Sequence, residues 1–589
     1  MRIFGLEIAD VCTLFAYLGG ITLLGMWMGR TIHNTTDFFV GGRRFGKLFS
    51  TFLAFGAGTH SDQAVSVAAK TYTAGMSGIW YQWLWLFVTP FYWLIGPILR
   101  RCRAITTGDY FEARYSRSVA MLFVVVGILN LVVNIGTMLK GSGAVVGAAT
   151  GNQVSEGWAI ALMTVLFVLY GVVGGFSAAV VTDFVQGLLT IVFSFMLLPF
   201  AISVLGGFSG LHEGVAATFG KYPAPGVPDA DHMWSLASPG EITLFYVVII
   251  AINALVGVVT QPHSLPQYNA SRTERQAQIG GVAGNLIKRL CTIAWCLLGM
   301  CAFVMFPGMT EKADIDQSFG LIARELLPQI LPGLIGVFIA CLLASIMSSC
   351  DCFMITCSGL FTQNLYRPLT GGNKSEAHYV NVGRVAAAVC VAGGVFCAYR
   401  FESVLHGLEL FWKISAMMGI AFWAGLFWRR ATSAGAWAGT LLAFAALLLT
   451  SRISFGSAVL WDFNEQFADA LPTWMLYGGK LSLPWQMITY LSLGCVGLVV
   501  VSLLTRPPET RRLDRFYDIL RTPVLPGEVL ERSFTLPDDV PPASQNKLLD
   551  LPSLEIQKPT TRGIVGFLVV VAIAAGMVGS VMILVRIGA

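Results

Sequence analysis

Charged residues are scarce in this sequence, where Asp, Glu, Lys and Arg make up 12% of 589 residues. A soluble domain carries about twice that share. Hydrophobic residues reach 55%, which excludes a soluble globular protein and predicts an all-α polytopic membrane protein. Runs of about 20 apolar residues can cross a bilayer. Fourteen of them are predicted here as transmembrane spans 1 to 14: 9–29, 48–70, 77–99, 119–149, 157–175, 179–206, 241–262, 282–306, 331–364, 378–399, 404–428, 434–451, 483–504 and 563–586.

Patterns typical of disulfides, signal peptides and enzymes are also absent. The long loops between the even-numbered spans and the next span contain none of the twelve cysteines, so we expect free, mostly buried thiols. Span 1 has no small-residue cleavage site, and we expect it to be retained as a helix. Residues 41–47, GGRRFGK, lack the Ser or Thr that follows the lysine of a phosphate-binding loop. We therefore predict neither nucleotide binding nor enzymatic activity.

Basic residues are distributed unevenly between the connections. Most of the 38 Lys and Arg residues follow odd-numbered spans, and the positive-inside rule makes those connections cytoplasmic. The sequence therefore predicts a multi-pass protein of the cell (inner or plasma) membrane, with both termini outside the cytoplasm. The net charge of +5 reflects this topology, and we predict the lipid bilayer as a partner but no nucleic acid.

Span 9 contains a polar stripe in an otherwise apolar segment, ACLLASIMSSCDCFMITCSGLFTQNLYR. Ser345, Ser348, Ser349 and Cys352 fall on one helical face, with Asp351 beside it. Small polar residues are common where membrane helices pack closely. A carboxylate, however, costs at least about 2.5 kcal/mol at the centre of a lipid-exposed span, so Asp351 indicates an ion or proton site.

Two spans combine glycine or proline with polar residues at membrane depth. Span 2 reads AFGAGTHSDQ, which includes Gly58, His60, Asp62 and Gln63, and span 7 reads INALVGVVTQPH, which includes Gln261. Non-helical backbone is tolerated at this depth only where it faces protein or water. Spans 2 and 7 each begin a block of five spans, and paired interrupted helices indicate an inverted-repeat transporter with a central binding site.

Other polar residues inside the membrane are candidates for substrate or ion binding. Asn134 and Lys140 lie in span 4, Asn253 lies mid-span in span 7, and Asp183 lies just inside span 6. Lys140 has two open interpretations, a structural or snorkelling lysine and a substrate-facing one. If Lys140 faces the substrate, its natural partner is an anionic group such as a carboxylate.

The chain resembles the sodium:solute symporter family. The resemblance rests on DFFVGGRRFG after span 1, the glycine-broken span 2, GGFSAAVVTDFVQ before span 6, QPH after span 7 and ASIMSSCDCF in span 9. It implies a LeuT-like core of two inverted five-helix repeats with one extra N-terminal and three extra C-terminal helices. The implied segments are 1–47 (first helix and loop), 48–206 (first repeat), 207–240 (outer loop), 241–428 (second repeat), 429–505 (two accessory helices), 506–562 (linker) and 563–589 (last helix).

The resemblance also implies site residues and a function. Sodium would bind the residues that match the family ligands, namely Gly56, Thr59, Ser345, Ser348 and Ser349. Asp183, Asp351 and Cys352 would frame a second ion site, although Cys352 replaces the usual hydroxyl. Asn253, Gly58 and Gln63 match substrate-contacting positions, whereas His60, Asp62 and Lys140 do not belong to the family pattern as a set. The implied function is sodium-coupled import of a small solute. The polar residues of the site favour a small polar solute such as an organic acid, and sugars, amino acids and vitamins remain possible. We expect the protein to function as a monomer.

Two alternatives remain open at this point. The first is a proton-coupled transporter in which a residue such as Asp62, His60, Asp183 or Asp351 relays the proton. The second is a receptor that binds a solute without moving it and signals through residues 505–562. The composition of that segment, rich in proline, leucine and charge, predicts a partly extended linker.

Overall fold

A computed structural model describes residues 2–29, 45–455, 458–525, 528, 533–538 and 540–588. Most of the DFFVGGRRFG and GGRRFGK motifs therefore lies outside the described residues. The chain is mostly helical, and its α-helices are α1 Ile8–Gly29, α2 Lys47–Gly56, α3 Ser61–Ala74, α4 Trp80–Trp83, α5 Thr89–Arg101, α6 Thr107–Arg114, α7 Arg117–Ala149, α8 Glu156–Phe195, α9 Leu198–Val204, α10 Gly207–Phe219, α11 Leu244–Val258, α12 Ser264–Asn269, α13 Glu274–Met305, α14 Lys312–Asp316, α15 Ser318–Ile330, α16 Leu334–Gly359, α17 Arg367–Leu369, α18 Glu376–Arg400, α19 Val404–Phe427, α20 Ser433–Leu449, α21 Phe463–Phe467, α22 Leu483–Leu504, α23 Thr510–Arg521 and α24 Thr561–Leu584.

Shorter elements complete the description. A π-helical segment, Leu360–Tyr366, continues α16, and 3-10 turns cover Gly75–Ile79, Asp231–Trp234, Ala468–Ala470 and Thr473–Met475. The strands form three antiparallel hairpins: β1 Arg2–Ile3 with β2 Leu6–Glu7, β3 Arg452–Phe455 with β4 Ala458–Asp462, and β5 Leu476–Tyr477 with β6 Lys480–Leu481.

Eight helices in the described part of the chain are long and apolar enough to cross a membrane, and several shorter apolar helices lie among them. The predicted break in span 2 separates α2 from α3, and the break in span 7 separates α11 from α12. Predicted spans 5 and 6 fall largely in one helical run, α8, which is followed by the short α9. The predicted number of fourteen membrane helices and the repeat layout stay predictions.

The ends of the helices lie on two opposite sides. On the side that we call inner, Arg101 pairs with Glu274 and Arg103 with Glu528, so the connections after spans 3, 7 and 13 meet there. On the outer side, the backbone N–H of Val404 donates to Asp316 at 3.0 Å. The two described chain ends also lie on this outer side, since Gly5 lies against Thr150 and Gly588 against Ser209.

The core of the molecule surrounds helix α16, which corresponds to predicted span 9. This helix packs against α1, α7, α8 and α18, while α13 packs against α2, α3 and α5. Every residue of α16 from Ile335 to Gly359 except Val337 is buried. Span 9 is therefore enclosed by protein, which lets its serines and aspartate avoid lipid.

Candidate functional site

The break in span 2 exposes backbone carbonyls in the middle of the core. Helix α2 ends at Gly56, and α3 begins after His60, whose backbone is extended with φ −132° and ψ 158°. Glycine is required at position 56, because a Cβ atom there would lie 2.5 Å from the Ser348 hydroxyl oxygen. The carbonyl oxygens of Gly56, Gly58 and Thr59 thus become available to side chains of other helices.

The serine stripe of α16 faces this break. The Ser349 hydroxyl donates to the Gly56 carbonyl oxygen at 2.7 Å, and the Ser345 hydroxyl donates to the Thr59 carbonyl oxygen at 3.3 Å. All three serines of the stripe are fully buried. The structure therefore brings together the five residues that the sequence predicts as sodium ligands.

The chemistry of this group fits a small monovalent cation. Carbonyl and hydroxyl oxygens are the ligands that hard cations prefer. The Thr59 hydroxyl is buried and has no hydrogen-bond partner among the described residues. Because a buried polar group without a partner is costly, this oxygen is a further candidate ligand.

Asp183 places a buried carboxyl group next to the serine stripe. The Ser348 hydroxyl donates to one Asp183 carboxylate oxygen at 2.6 Å. The other oxygen, Oδ2, is buried and lacks a hydrogen-bond partner within the described ranges. Asp351 and Cys352, which lie in α16 with the serines, are also fully buried. The residues predicted for a second ion site therefore lie on or next to the buried stripe.

A small cavity of about 50 Å³ lies beside the break in span 2. Five of the predicted substrate residues line it: Gly58, His60, Gln63, Asn134 and Gln261. The lining also includes residues that the sequence analysis did not single out for substrate binding, namely Trp85, His263, Gln267, Asn285, Lys288, Arg289, Phe353 and Phe411. The mixture of aromatic, amide and cationic side chains suits a small polar solute.

Lys288 and Arg289 place positive charge in the wall of this cavity. The two side chains are only 6% and 1% exposed. The Lys288 ammonium donates to the Gly58 carbonyl and lies 5.5 Å from the centre of the Trp85 ring, while Arg289 donates to the Gln82 carbonyl at 2.7 Å. Neither cation forms an ion pair with a carboxylate in the described part of the chain. A buried cation of this kind favours an anionic ligand.

The sequence contained a signal for this pair. Both residues lie inside predicted span 8, at 282–306, where a basic residue is costly. Because they lie near the inner end of the span, they resemble the basic residues of the preceding connection, which indicate topology and not a binding site. Only the packing of α13 against α2 and α3 brings Lys288 to the cavity.

The structure does not place three predicted substrate residues in the cavity wall. Lys140 pairs with Glu156 at 2.8 Å, so its charge is already compensated by its own neighbour. The Asn253 side chain accepts a hydrogen bond from Tyr490 at 2.5 Å and donates to the Trp412 carbonyl at 3.4 Å. These contacts favour the structural interpretation of Lys140 and join Asn253 to helices α19 and α22.

Asp62 is the third predicted substrate residue that does not line the cavity, and it lies behind His60. Its carboxylate contacts the imidazole of His60, which does line the cavity. Its other oxygen is buried and has no hydrogen-bond partner among the residues described. Asp62 therefore contacts the cavity wall through His60.

Comparisons with known proteins show what the chain is similar to. The model of the sodium:solute symporter family matches residues 38–443. The sodium/proline symporter of Escherichia coli K12 is 27% identical over 533 residues, which cover 86% of this chain and 95% of the symporter. The sodium/glucose cotransporter of Vibrio parahaemolyticus is 25% identical over 467 residues, covering 73% of this chain and 83% of the cotransporter.

A solved structure shares the fold. The outward-open, substrate-bound structure of a Na⁺-coupled sialic acid symporter matches with a TM-score of 0.69 and 18% identity, covering 85% of this chain and 99% of that one. The resemblance found in the sequence motifs is thereby confirmed, together with the mostly helical LeuT-like fold. Sodium is the coupling ion in this group of transporters.

Proposed function

Because the chain belongs to the sodium:solute symporter family, we propose that it imports a small organic acid together with sodium by alternating access. Sodium that enters from the outer side ties α2 and α3 to α16 and stabilises the form that binds the solute. Closure of the outer side and opening of the inner side then release both. Coupling requires that sodium bind one of the two forms more tightly than the other.

The observation that carries this proposal is the contact between the break in span 2 and the serine stripe of span 9. The two segments are almost 300 residues apart in the sequence, yet Ser349 and Gly56 lie within hydrogen-bond distance. A cation held by oxygens from both segments would fix their relative position. Sodium binding is thereby linked to the shape of the adjoining cavity.

The organic-acid part of the proposal is supported by Lys288. A carboxylate in the cavity could accept a hydrogen bond from the Lys288 ammonium and another from a neutral side chain such as Asn285. Such charge-assisted hydrogen bonds are about twice as strong as neutral ones. In this proposal Lys288, and not Lys140, is the lysine that binds the anionic group of the solute.

Asp183, Asp351 and Cys352 are proposed to bind a second cation. The buried Asp183 carboxylate, with one oxygen free of protein hydrogen bonds among the described residues, supports this assignment. A thiol is a weaker ligand for sodium than a hydroxyl. We therefore propose that Cys352 contributes little and that the two carboxylates carry the site.

Sodium-dependent thermal stabilisation tests the main sodium site without knowledge of the substrate. A ligand at 100 times its dissociation constant stabilises the folded state by about 2.7 kcal/mol. Sodium should raise the melting temperature of the wild-type protein relative to potassium, and Ser349→Ala should lose most of this difference. Thr356→Ala is the matched control, because the Thr356 hydroxyl donates to the Cys352 carbonyl within its own helix. If sodium stabilises Ser349→Ala as much as the wild type, the assignment is wrong.

A proton-coupled transporter remains the second candidate, and the contact between His60 and Asp62 favours it. An imidazole that lines the cavity and touches a buried carboxylate can take up or release a proton during the cycle. Uptake driven by a pH gradient in sodium-free vesicles would support this candidate. Uptake that requires sodium at every pH would exclude it.

We also propose that the protein works as a monomer in the cell membrane, with the inner side facing the cytoplasm. The predominance of Lys and Arg in the connections of the inner side supports this orientation. Labelling of single cysteines introduced at Lys312 on the outer side and Lys547 on the inner side would test the orientation in intact cells.

A further inference from the structure

The described residues between 505 and 560 lie across the inner side of the molecule instead of extending into solution. We call the described residues of this segment the C-terminal strap. Helix α23 lies within it and buries Leu513, Phe516 and Tyr517 against the rest of the protein. A helix with a buried apolar face differs from the partly extended linker that the composition predicted. The contacts of the strap therefore indicate a defined position.

Helix α6 packs against the backbone of a segment that contributes to the cavity wall. The Thr107 hydroxyl at its start donates to the Pro262 carbonyl at 3.3 Å, and Pro262 lies between Gln261 and His263, which both line the cavity. Gly108 packs so closely on Asn364 that a Cβ atom would lie 2.7 Å from the amide. Movement of α6 would thus displace the segment that carries Gln261 and His263 in the cavity wall.

The strap contacts α6 along its length. The Ser533 hydroxyl donates to the Asp109 carboxylate at 2.8 Å, and the Arg512 guanidinium donates to the Ala113 carbonyl at 3.1 Å. The Phe516 ring lies edge-on to Tyr110, with 5.4 Å between the ring centres. These contacts join polar and apolar parts of the strap to the helix that packs against the cavity wall.

The strap is anchored on the neighbouring helices by buried charges. Arg103, which follows α5, pairs with Glu528, and the two side chains are 1% and 6% exposed. The same guanidinium donates to the Pro523 carbonyl at 3.1 Å. Arg103 also has a positive φ of 50°, a backbone conformation that is unfavourable for a non-glycine residue.

A second anchor lies at the inner end of α19. Arg429 contacts Asp514 and pairs with the buried Glu555 at 2.6 Å. Between the two anchors the Glu274 carboxylate at the start of α13 accepts a hydrogen bond from the backbone N–H of Val524 at 2.8 Å. The strap thus bridges the inner ends of α5, α13 and α19 while it holds α6.

We propose that the C-terminal strap is a latch that keeps α6 in the closed position and sets how readily the inner side opens. This inference rests on the proposed function, since opening of the inner side is a step of transport. With the strap in place, the form with a closed inner side is favoured, which is the form that sodium binds from outside. Release of the strap shifts the population towards the inward-open form.

The test compares Glu528→Gln and Ser533→Ala with the wild type in lipid nanodiscs. Glu528→Gln leaves the buried Arg103 without its counter-ion, and Ser533→Ala removes one hydrogen bond to Asp109 while it keeps the anchor. Asp538→Asn is the control, because Asp538 is an exposed carboxylate of the same strap. Hydrogen exchange of residues 107–114 is measured in sodium and in potassium, together with the sodium concentration for half-maximal thermal stabilisation.

We expect the hydrogen exchange of residues 107–114 to be at least about fivefold faster in Glu528→Gln than in the wild type. The sodium concentration for half-maximal stabilisation should rise by a similar factor, because about fivefold is the lower end of the coupling seen between two linked sites. Ser533→Ala should change both quantities in the same direction by less, and Asp538→Asn should change neither. A lower melting temperature of Glu528→Gln with unaltered sodium response and unaltered exchange of α6 would overturn the latch. Absence of any sodium response in the wild type would instead refute the proposed function, and exchange of α6 would still test the latch.

Discussion

Replacement of Lys288 by methionine would test which cation recognises the solute. Methionine keeps the length of the side chain but removes the ammonium, which lies in the cavity wall without a carboxylate partner in the described structure. A hydrogen bond to a charged group contributes about 1.5–3 kcal/mol. Since each 1.4 kcal/mol corresponds to about a tenfold change in affinity, we expect a carboxylate to bind about 10- to 150-fold more weakly.

The assay is thermal stabilisation of the purified protein by small carboxylic acids, each compared with its primary amide, in sodium. The acid and the amide have nearly the same shape, so the difference between them reports the charge alone. The wild-type protein should prefer the acid, and Lys288→Met should bind acid and amide with similar affinity. Lys288→Arg keeps the charge and should keep part of the preference.

Lys140→Met is the matched control for this experiment. Lys140 pairs with Glu156 away from the cavity wall, so its loss should leave the preference for the acid unchanged. The reasoning would be refuted if Lys288→Met still discriminated between acid and amide like the wild type. It would also be refuted if Lys140→Met, and not Lys288→Met, abolished the preference.

Two further predictions follow from the packing of the site and of the outer loop. Gly56→Ala should raise the sodium concentration needed for stabilisation at least tenfold, because the new Cβ atom would lie 2.5 Å from the Ser348 hydroxyl; an unchanged sodium response would contradict the close approach. Burial raises the pKa of Asp316 from 3.8 to about 7, so the folded state favours the protonated carboxyl group. The folded protein therefore loses stability as the pH rises from about 4 to 7, by at most about 4 kcal/mol. Asp316→Asn keeps an acceptor for Val404 and should raise the melting temperature relative to the wild type at pH 8 but not at pH 4; an equal effect at both values would exclude titration of Asp316.

Several elements of the site were predictable because their signals are local in the sequence. Glycines followed by His60, Ser61 and Asp62 inside an apolar run indicated a broken helix, and α2 and α3 confirm the break. The spacing of Ser345, Ser348 and Ser349 placed them on one helical face, which the structure turns towards the break. Their predicted role as sodium ligands still depends on the proposed experiment.

Residues with long-range partners could not be assigned in the same way. The sequence offers Lys140 and Lys288 as similar lysines within apolar segments, and nothing local shows which one has an acidic neighbour. The outer end of α8 carries Glu156 to Lys140, whereas the packing of α13 against α3 leaves Lys288 in the cavity wall. The composition of residues 505–560 likewise predicted a linker, because the buried partners Arg103 and Arg429 lie far away in the chain.

The sequence by itself determined the class of protein, the broken spans and the hydroxyl stripe, since hydropathy, glycine placement and helical periodicity act over one or two turns of chain. Tertiary structure alone decided which basic side chains line the cavity, which acids pair with the other basic residues, and where the C-terminal strap lies. The physical reason is that a buried charge is stable only beside a compensating group. That group is supplied by another helix whose position depends on the packing of the whole fold.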